Sequence, residues 1–409
     1  MQNIIKILKK LQKITSTKIF MVGSYTRNFF IRTCGDPAEK LDNNVEAVMF
    51  GASIYEFMKH TPKNQKLISQ ISIQYDNENI ASITLQTPEK RFIRILFSRR
   101  KIKPDGIIIM DKNATLIQDM KCRDFKMNSL YLPVNYESQK DLIDLCKGIN
   151  DIKMKRVSSI ASPRVCLKTS YPNLIKAISM AAVSNFDVEE TLLREISRYA
   201  KLMKEVDPDI VRAEFNKILT CKTPSKYLSL LEKTGLLREF CSELSSCVGV
   251  TQEPKYHKYD VFNHCLYSCD NVEPDLVIRL AAVLHDIGKP ETRKIRNGKI
   301  TFFKHEVISK RKAEAFLNRL HYDTNTKNRV LNLVALHMYH YTDNYSDSGI
   351  RKFIRKAGVT VDDIKTINQL PLFKLRAGER LGSGVKRKPI TLNQKQFERR
   401  IRKILLQSV

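Results

Sequence analysis

The chain has 409 residues, of which 42% are hydrophobic and 28% charged, so two to four cored domains are expected and a disordered chain is excluded. Its 71 Lys+Arg face 43 Asp+Glu, a formal net charge of +28. A folded chain this basic repels itself and calls for a polyanionic partner: nucleic acid first, an anionic membrane surface second. The competing reading is a set of solvated faces filled with Lys.

In chain order, MQNIIKILKKLQKI has helical apolar spacing interrupted by Lys6, Lys9, Lys10 and Lys13, unlike a signal peptide. Ile19–Val22, Val45–Phe50, Ile80–Leu85 and Phe92–Phe97 read as strands, the last two separated by a polar turn at Thr87–Lys90. From about residue 170 the pattern becomes helix after helix, with apolar residues three and four apart. Asp187 is expected to cap one of these helices, and Thr223-Pro224 to start another. The carboxy-terminal stretch from Gly382 is basic throughout. No apolar run reaches membrane-spanning length. The nine Cys form no CxxC pair or zinc spacing and read as reduced thiols, so a cytoplasmic protein with no membrane partner is expected.

Seven of the eight His lie between His257 and His340. Among them His264, His285-Asp286, His305 and His337 form an ordered set. Adjacent His and Asp in the apolar segment LAAVLHDIGKP are costly to bury unless they have a use. A divalent metal supplies one, because neutral imidazoles and a carboxylate bind such ions, which acidify a bound water. The alternative is a group of core histidines with an Asp at a helix end.

HKYDVFNH, LAAVLHDIGKP, TFFKHE and SDSGIRKFIRK resemble the HD domain attached to many bacterial CCA-adding enzymes. Upstream, MVGSYTRNFF, CRDFKMNSLYL, LIDLCKGINDIKMKRV and the helical middle follow the same family in the same order. The chain thus resembles the tRNA CCA-adding enzyme and bacterial poly(A) polymerase family over its whole length. The resemblance implies an α+β fold: a small mixed-sheet nucleotidyltransferase-like head (1–150), an all-α RNA-binding-like neck and body (151–250), an HD domain (251–381) and a basic tail (382–409). It also implies a transition metal at the HD site, held by His264, His285, Asp286, His305 and His337. Asp286 and Lys289 would serve as catalytic groups, with Lys289 near the phosphate. The family's last HD acid, expected in an R-A-D segment, falls on Gly378 in Arg376-Ala377-Gly378-Glu379. Glu379 and Asp347 are candidate substitutes, and one metal with a weakened ligand set is expected.

The head's catalytic positions depart from the pattern. Nucleotide transfer needs a carboxylate cluster holding two Mg²⁺ ions. The D-x-D strand here reads Asn44-Val45-Glu46, and the register Asp42-Asn43-Asn44 offers no more acid. The third carboxylate position falls on Arg94. The phosphate loop carries Gly23, then Ser24 for the second Gly, and Arg27-Asn28 for R-D. The base-selecting E-D-x-x-R is replaced by Thr169-Ser170-Tyr171-Pro172-Asn173 with Lys176. Arg123, Asp124 and Asn128 persist, and are read as a buried ion pair and a turn. The basic groups Arg99, Arg100 and Lys101, Lys310, Arg311 and Lys312, Lys386, Arg387 and Lys388, and Arg399 and Arg400 are the candidate contacts to RNA, by resemblance a tRNA or another RNA 3′ end. Three functions remain open: an RNA-binding HD phosphohydrolase, an RNA-gripping protein with both sites decayed, and a working CCA-adding enzyme or poly(A) polymerase with substituted carboxylates.

Overall fold

The computed structural model describes residues 2–34, 44–60, 68–77, 80–101, 107–339 and 346–407. They form two compact units, residues 1–170 with 186–192, and residues 171–185 with 193–409. The fold class is α+β, as expected.

In the first unit, α1 (Gln2–Thr15) buries Ile4, Ile7, Leu8 and Leu11 and leaves its lysines in solvent. The strands are β1 (Lys18–Val22), β2 (Val45–Phe50), β3 (Gln70–Asn77), β4 (Ile80–Gln86), β5 (Phe92–Phe97), β6 (Leu130–Pro133) and β7 (Ile143–Asp144). They make one seven-stranded sheet in the order β3-β4-β5-β2-β1-β6-β7. β2 and β5 run parallel, and β1 pairs antiparallel with β2. Successive side chains point to opposite faces. Val45, Ala47 and Met49 therefore join the core under α1, whereas Val48 and Phe50 join a second core with Phe20, Val22, Leu96 and Tyr131. Between β1 and α2 (Ser24–Thr33) stands Gly23, with φ of 73°.

Residues 151–250 divide between the two units. Arg156–Val157 pairs in parallel with Asp187–Val188, which keeps residues 186–192 in the first unit. Asp187 is therefore a strand residue, and the next helix starts at Glu190. The second unit is helical. It includes α3 (Asn173–Ser184), α4 (Pro208–Thr220) and α5 (Pro224–Lys233), followed by α6 (Val261–Asp270), α7 (Leu276–Leu284), α8 (His305–Arg319), α9 (Thr324–Leu336), α10 (Asp347–Ala357), α11 (Pro371–Gly382) and α12 (Leu392–Leu406). α7 is buried from Val277 to Leu284, as its mostly apolar sequence requires, and its one charged residue, Arg279, donates to the carbonyls of Leu219, Cys221 and Val272. The expected basic tail is a structural helix. α12 buries Phe397, Ile401, Ile404 and Leu405, and Phe397 packs edge-on against Phe353 at 5.0 Å. Among the described residues no helix is long and apolar enough to cross a membrane.

Candidate metal centre in the helical unit and the altered head site

The centre assembles from helix ends. Asp260 caps α6 by accepting from Asn263 N at 2.8 Å, and places His264 one turn in. α7 stops at Leu284 and delivers His285 and Asp286 into the following turn. That turn packs against α8 at Gly288, where any Cβ would meet His305 O at 2.4 Å and Ser309 N at 2.6 Å. The glycine of HDIGK thus brings Asp286 to His305. Asn297-Gly298 closes a hairpin of Arg293–Arg296 and Lys299–Phe302, which returns the chain to the start of α8; the Asn-Gly pair was its sequence signal. His337 follows α9 directly.

All five side chains are buried. His285 and His264 place Nε2 3.1 and 3.4 Å from Asp286 Oδ2, and His305 and His337 place Nε2 3.1 and 3.6 Å from Oδ1. Two ligand triads result, sharing Asp286: His264–His285–Asp286 and Asp286–His305–His337. Lys289 Nζ lies 2.6 Å from Asp286 Oδ2 and donates to Gln252 Oε1 at 2.7 Å, so its ammonium faces the centre.

These residues fit a divalent transition metal. The Nδ1 atoms of His285, His305 and His337 sit 2.8, 2.7 and 2.7 Å from the carbonyls of Ala282, Phe302 and Val334. A neutral ring that gives its Nδ1 proton to a carbonyl keeps a lone pair at Nε2. The Nε2 lone pairs of His305 and His337 then face each other at 3.1 Å, while His264, whose Nδ1 has no hydrogen-bond partner, places its Nε2 3.2 Å from that of His285. Facing lone pairs repel unless a cation lies among them. Neither Asp286 oxygen receives a hydrogen bond of good geometry, despite its close neighbours. Burial holds His264 and His337 below the usual imidazole range, hence neutral and able to ligate. Burial opposes charge on His285 too, but the Asp286 carboxylate raises it, so a proton competes there with any metal.

The expected last acid is corrected. Gly378 does not face the centre: a Cβ there would meet Val272 Cγ1 at 2.4 Å, because α11 lies close against α6. Glu379, one residue on, turns toward it. Burial works against its charge, but Arg376, His285 and His337 hold its carboxyl at about 2. Arg376 NH1 donates to it at 2.7 Å. Asp347 is exposed and paired with Arg400 at 2.9 Å, away from any such role. His257, not singled out from the sequence, packs edge-on against His264 with ring centroids 4.6 Å apart.

The head differs. Glu46 and Arg94 are register partners on β2 and β5, and Glu46 Oε1 lies 3.6 Å from Arg94 NH1. The Glu46 carboxylate occupies the space above Gly23, 2.7 Å from where a Cβ would stand. Asn44 Oδ1 accepts from Phe92 N at 3.0 Å, a strand-end contact. Asp42 and Asn43 lie outside the described residues. Arg27 donates to Asn128 Oδ1 at 2.8 Å and to Asn28 Oδ1 at 2.9 Å. Ser24 opens α2. The buried ion pair expected around Arg123 exists with another partner: Arg123 Nε reaches Asp119 Oδ2 at 3.0 Å, and Tyr131 OH donates to the same oxygen at 2.8 Å. The Asp124 carbonyl accepts from Ile160 N at 3.0 Å. Among the described residues, which leave out Asp42, no three metal-type ligands converge in the head.

The candidate RNA contacts divide. Arg99 turns inward to Asp119 at 3.4 Å and Arg100 pairs with Asp111 at 2.5 Å. Lys312 is drawn to Glu291 at 2.8 Å and to the Ile287 carbonyl, and Arg311 pairs with Glu291 at 3.2 Å. These four are answered by the protein's own oxygens. Lys310, Lys386, Lys388 and Arg399 are exposed, and Lys101 is half-buried.

The sequence matches three family models in one order: the poly A polymerase head domain over residues 42–158, the probable RNA and SrmB-binding site of polymerase A over 185–247, and the HD domain over 256–367. The chain belongs to the tRNA CCA-adding enzyme and bacterial poly(A) polymerase family. Relatives include the A-adding tRNA nucleotidyltransferase of Deinococcus radiodurans, 25% identical over 62% of this chain and 59% of that one. Another is the CC-adding tRNA nucleotidyltransferase of Thermus thermophilus, 27% identical over 54% and 52%. The chain spans about half the length of these curated relatives. Among solved structures, the Bacillus stearothermophilus CCA-adding enzyme in complex with CTP covers 98% of this chain and is itself covered to 82%, with TM-score 0.66 and 14% identity. The Thermotoga maritima CCA-adding enzyme complexed with tRNA gives 0.55 and 14%, over 99% and 82%. At such identity the likeness is one of fold.

Proposed function

We propose that this family member is an RNA-binding, metal-dependent phosphohydrolase whose head does not add nucleotides. The observation that carries the reading is Asp286, buried among four imidazoles whose Nε2 atoms converge on its two oxygens. His264, His285, Asp286, His305 and His337 would hold the ion, with Glu379 beside them. A bound divalent metal supplies Lewis acidity and a water acidified to near neutral pH. Lys289 would hold one phosphate oxygen by charge, while Asp286 keeps that ammonium in place. In the reaction the oxygen of water bonds to phosphorus and the ester P–O bond breaks. One water proton passes to the departing alcohol, and the other stays on the released phosphate. The substrate class is a phosphate ester on RNA or a nucleotide. The RNA is a tRNA or another RNA 3′ end, gripped by exposed Lys and Arg.

The family's own activity is the second reading, and Glu46 is the residue that favours it. Metal analysis of the purified protein, with assays of phosphate release and of CTP and ATP incorporation into tRNA lacking its end, separates the two. Bound transition metal, phosphate release and no incorporation are the outcome expected. Incorporation without phosphate release would overturn the reading. RNA affinity should fall with salt at a log–log slope of about −0.7 per phosphate contacted on a single strand.

A further inference from the structure

Beside the metal centre the chain collects cations. Arg376 and Arg380 sit one turn apart on α11, and Arg387 follows in the segment after it. Arg380 Nε donates to the Lys388 carbonyl at 2.9 Å, which folds that segment back along α11. Lys258 N donates to Ser383 O at 2.8 Å, tying the same segment to the backbone around His257. The Arg387 guanidinium lies over the Tyr256 ring at 5.3 Å. His257, the next residue, touches His264, and its Nδ1 is buried with no hydrogen-bond partner. A continuous path thus leads from a candidate metal ligand through His257 and Tyr256 to Arg387.

The charges along this path do not balance. The acid in their midst, Glu379, is paired with Arg376 at 2.7 Å, which leaves Arg380 and Arg387 to be balanced. Among the described residues neither Arg380 nor Arg387 makes an ion pair within 4.0 Å. Burial, then repulsion from Arg387 and Arg376, pushes the Arg380 guanidinium below its ordinary value. Guanidiniums gathered against their own repulsion, next to a site for a phosphate ester, have the donor geometry for a second phosphate.

We infer that Arg380 and Arg387 form a second phosphate subsite, so that the substrate of the HD centre is the phosphorylated end of an oligonucleotide rather than a mononucleotide. The terminal phosphate sits at the Asp286 cluster, and the next phosphodiester is held by the two arginines. The inference rests on the phosphohydrolase reading for the terminal phosphate only. Arg387 acts as a positioning residue and does no chemistry.

The test uses the full chain, stripped of metal for binding and metal-loaded for turnover. By calorimetry on stripped protein, a dinucleotide with a 3′-phosphate should bind roughly tenfold or more tighter than the corresponding mononucleotide, as expected for one added charge-assisted contact. Arg387→Ala should bring the dinucleotide down to the mononucleotide level, leaving the mononucleotide affinity and the melting temperature unmoved, and Arg380→Ala should do the same to the dinucleotide while lowering the melting temperature through loss of its bond to the Lys388 carbonyl. Arg387→Lys should recover part of the difference. Equal binding of both probes, or an Arg387→Ala that weakens both alike, overturns the subsite. If wild type releases phosphate from both probes with equal kcat/KM, the subsite falls and the phosphohydrolase stands. If neither probe is hydrolysed but arginine-dependent discrimination persists, the phosphohydrolase falls and the subsite stands.

Discussion

The head and the HD domain carry charge where a reaction would need it, and they balance it in opposite ways. In the head, Glu46 meets the Arg94 guanidinium at 3.6 Å across neighbouring strands, so its charge is answered inside the protein. In the HD domain, Asp286 faces four imidazoles, three of which have their Nδ1 atoms engaged by backbone carbonyls. Asp286 already holds the Lys289 ammonium at 2.6 Å, but the imidazole Nε2 atoms converging on it still offer a cation a set of ligands, whereas among the described residues no such ligands join Glu46. The difference teaches that an acid at a motif position says little until its partner is known.

Removing the acid shared by both triads should have the largest effect. Asp286 belongs to both triads, so Asp286→Ala should leave roughly a tenth or less of the wild-type metal and reduce phosphate release to the blank. A variant retaining metal and activity would erase the contrast between the two sites. Removing an answered acid should instead cost stability. Asp119 is fully buried between Arg123, Arg99 and Tyr131, so Asp119→Ala should destabilise the head by about 3–5 kcal/mol, read as a lowered thermal transition with metal content unchanged. Burial raises the Asp119 pKa, but the charges of Arg123 and Arg99 prevail and hold it below its ordinary value. Its contribution is therefore complete above the unfolded value of about 3.9 and is lost as pH falls through the lower folded value. Acid unfolding of the head should begin at higher pH in wild type than in Asp119→Asn, once both are referred to their neutral stability.

Two neighbours on α11 sharpen the point. Gly378→Asp puts a side chain into Val272 and the α6 backbone, and overpacking of this kind costs about 1–3 kcal/mol. It should lower metal occupancy, not restore it. Glu379→Gln fits the space but removes a charge facing His285 and His337, and should weaken metal binding by about 10–100-fold in a chelator competition. The smallest effect belongs to Glu46→Ala. Nucleotide incorporation should be undetectable before and after the substitution, and incorporation that disappeared with Glu46 would put catalysis back in the head.

The sequence by itself determined the fold class, four of the seven strands in the head's sheet and the helical remainder, and it singled out the five residues of the candidate metal set. Each rests on a local pattern: short apolar runs in β2 and β5, apolar spacing of three and four, and a His-Asp pair in an apolar segment too costly to bury without purpose. Tertiary structure alone decided which charges meet. Arg94 neutralises Glu46 because β2 and β5 pair in parallel in one register, and Arg123 takes Asp119 rather than its neighbour Asp124. Gly378 cannot carry an acid because α11 needs its glycine against α6, whereas Glu379, about 100° further around the helix, feels the charges of Arg376, His285 and His337. Arg99 and Lys312 leave the basic surface because acids distant in sequence or a turn away lie within reach. α12 is a packed helix because Phe397 finds Phe353. Local spacing fixes the direction of a side chain within its own element, whereas its partner is set by the packing of another element that the local pattern does not contain.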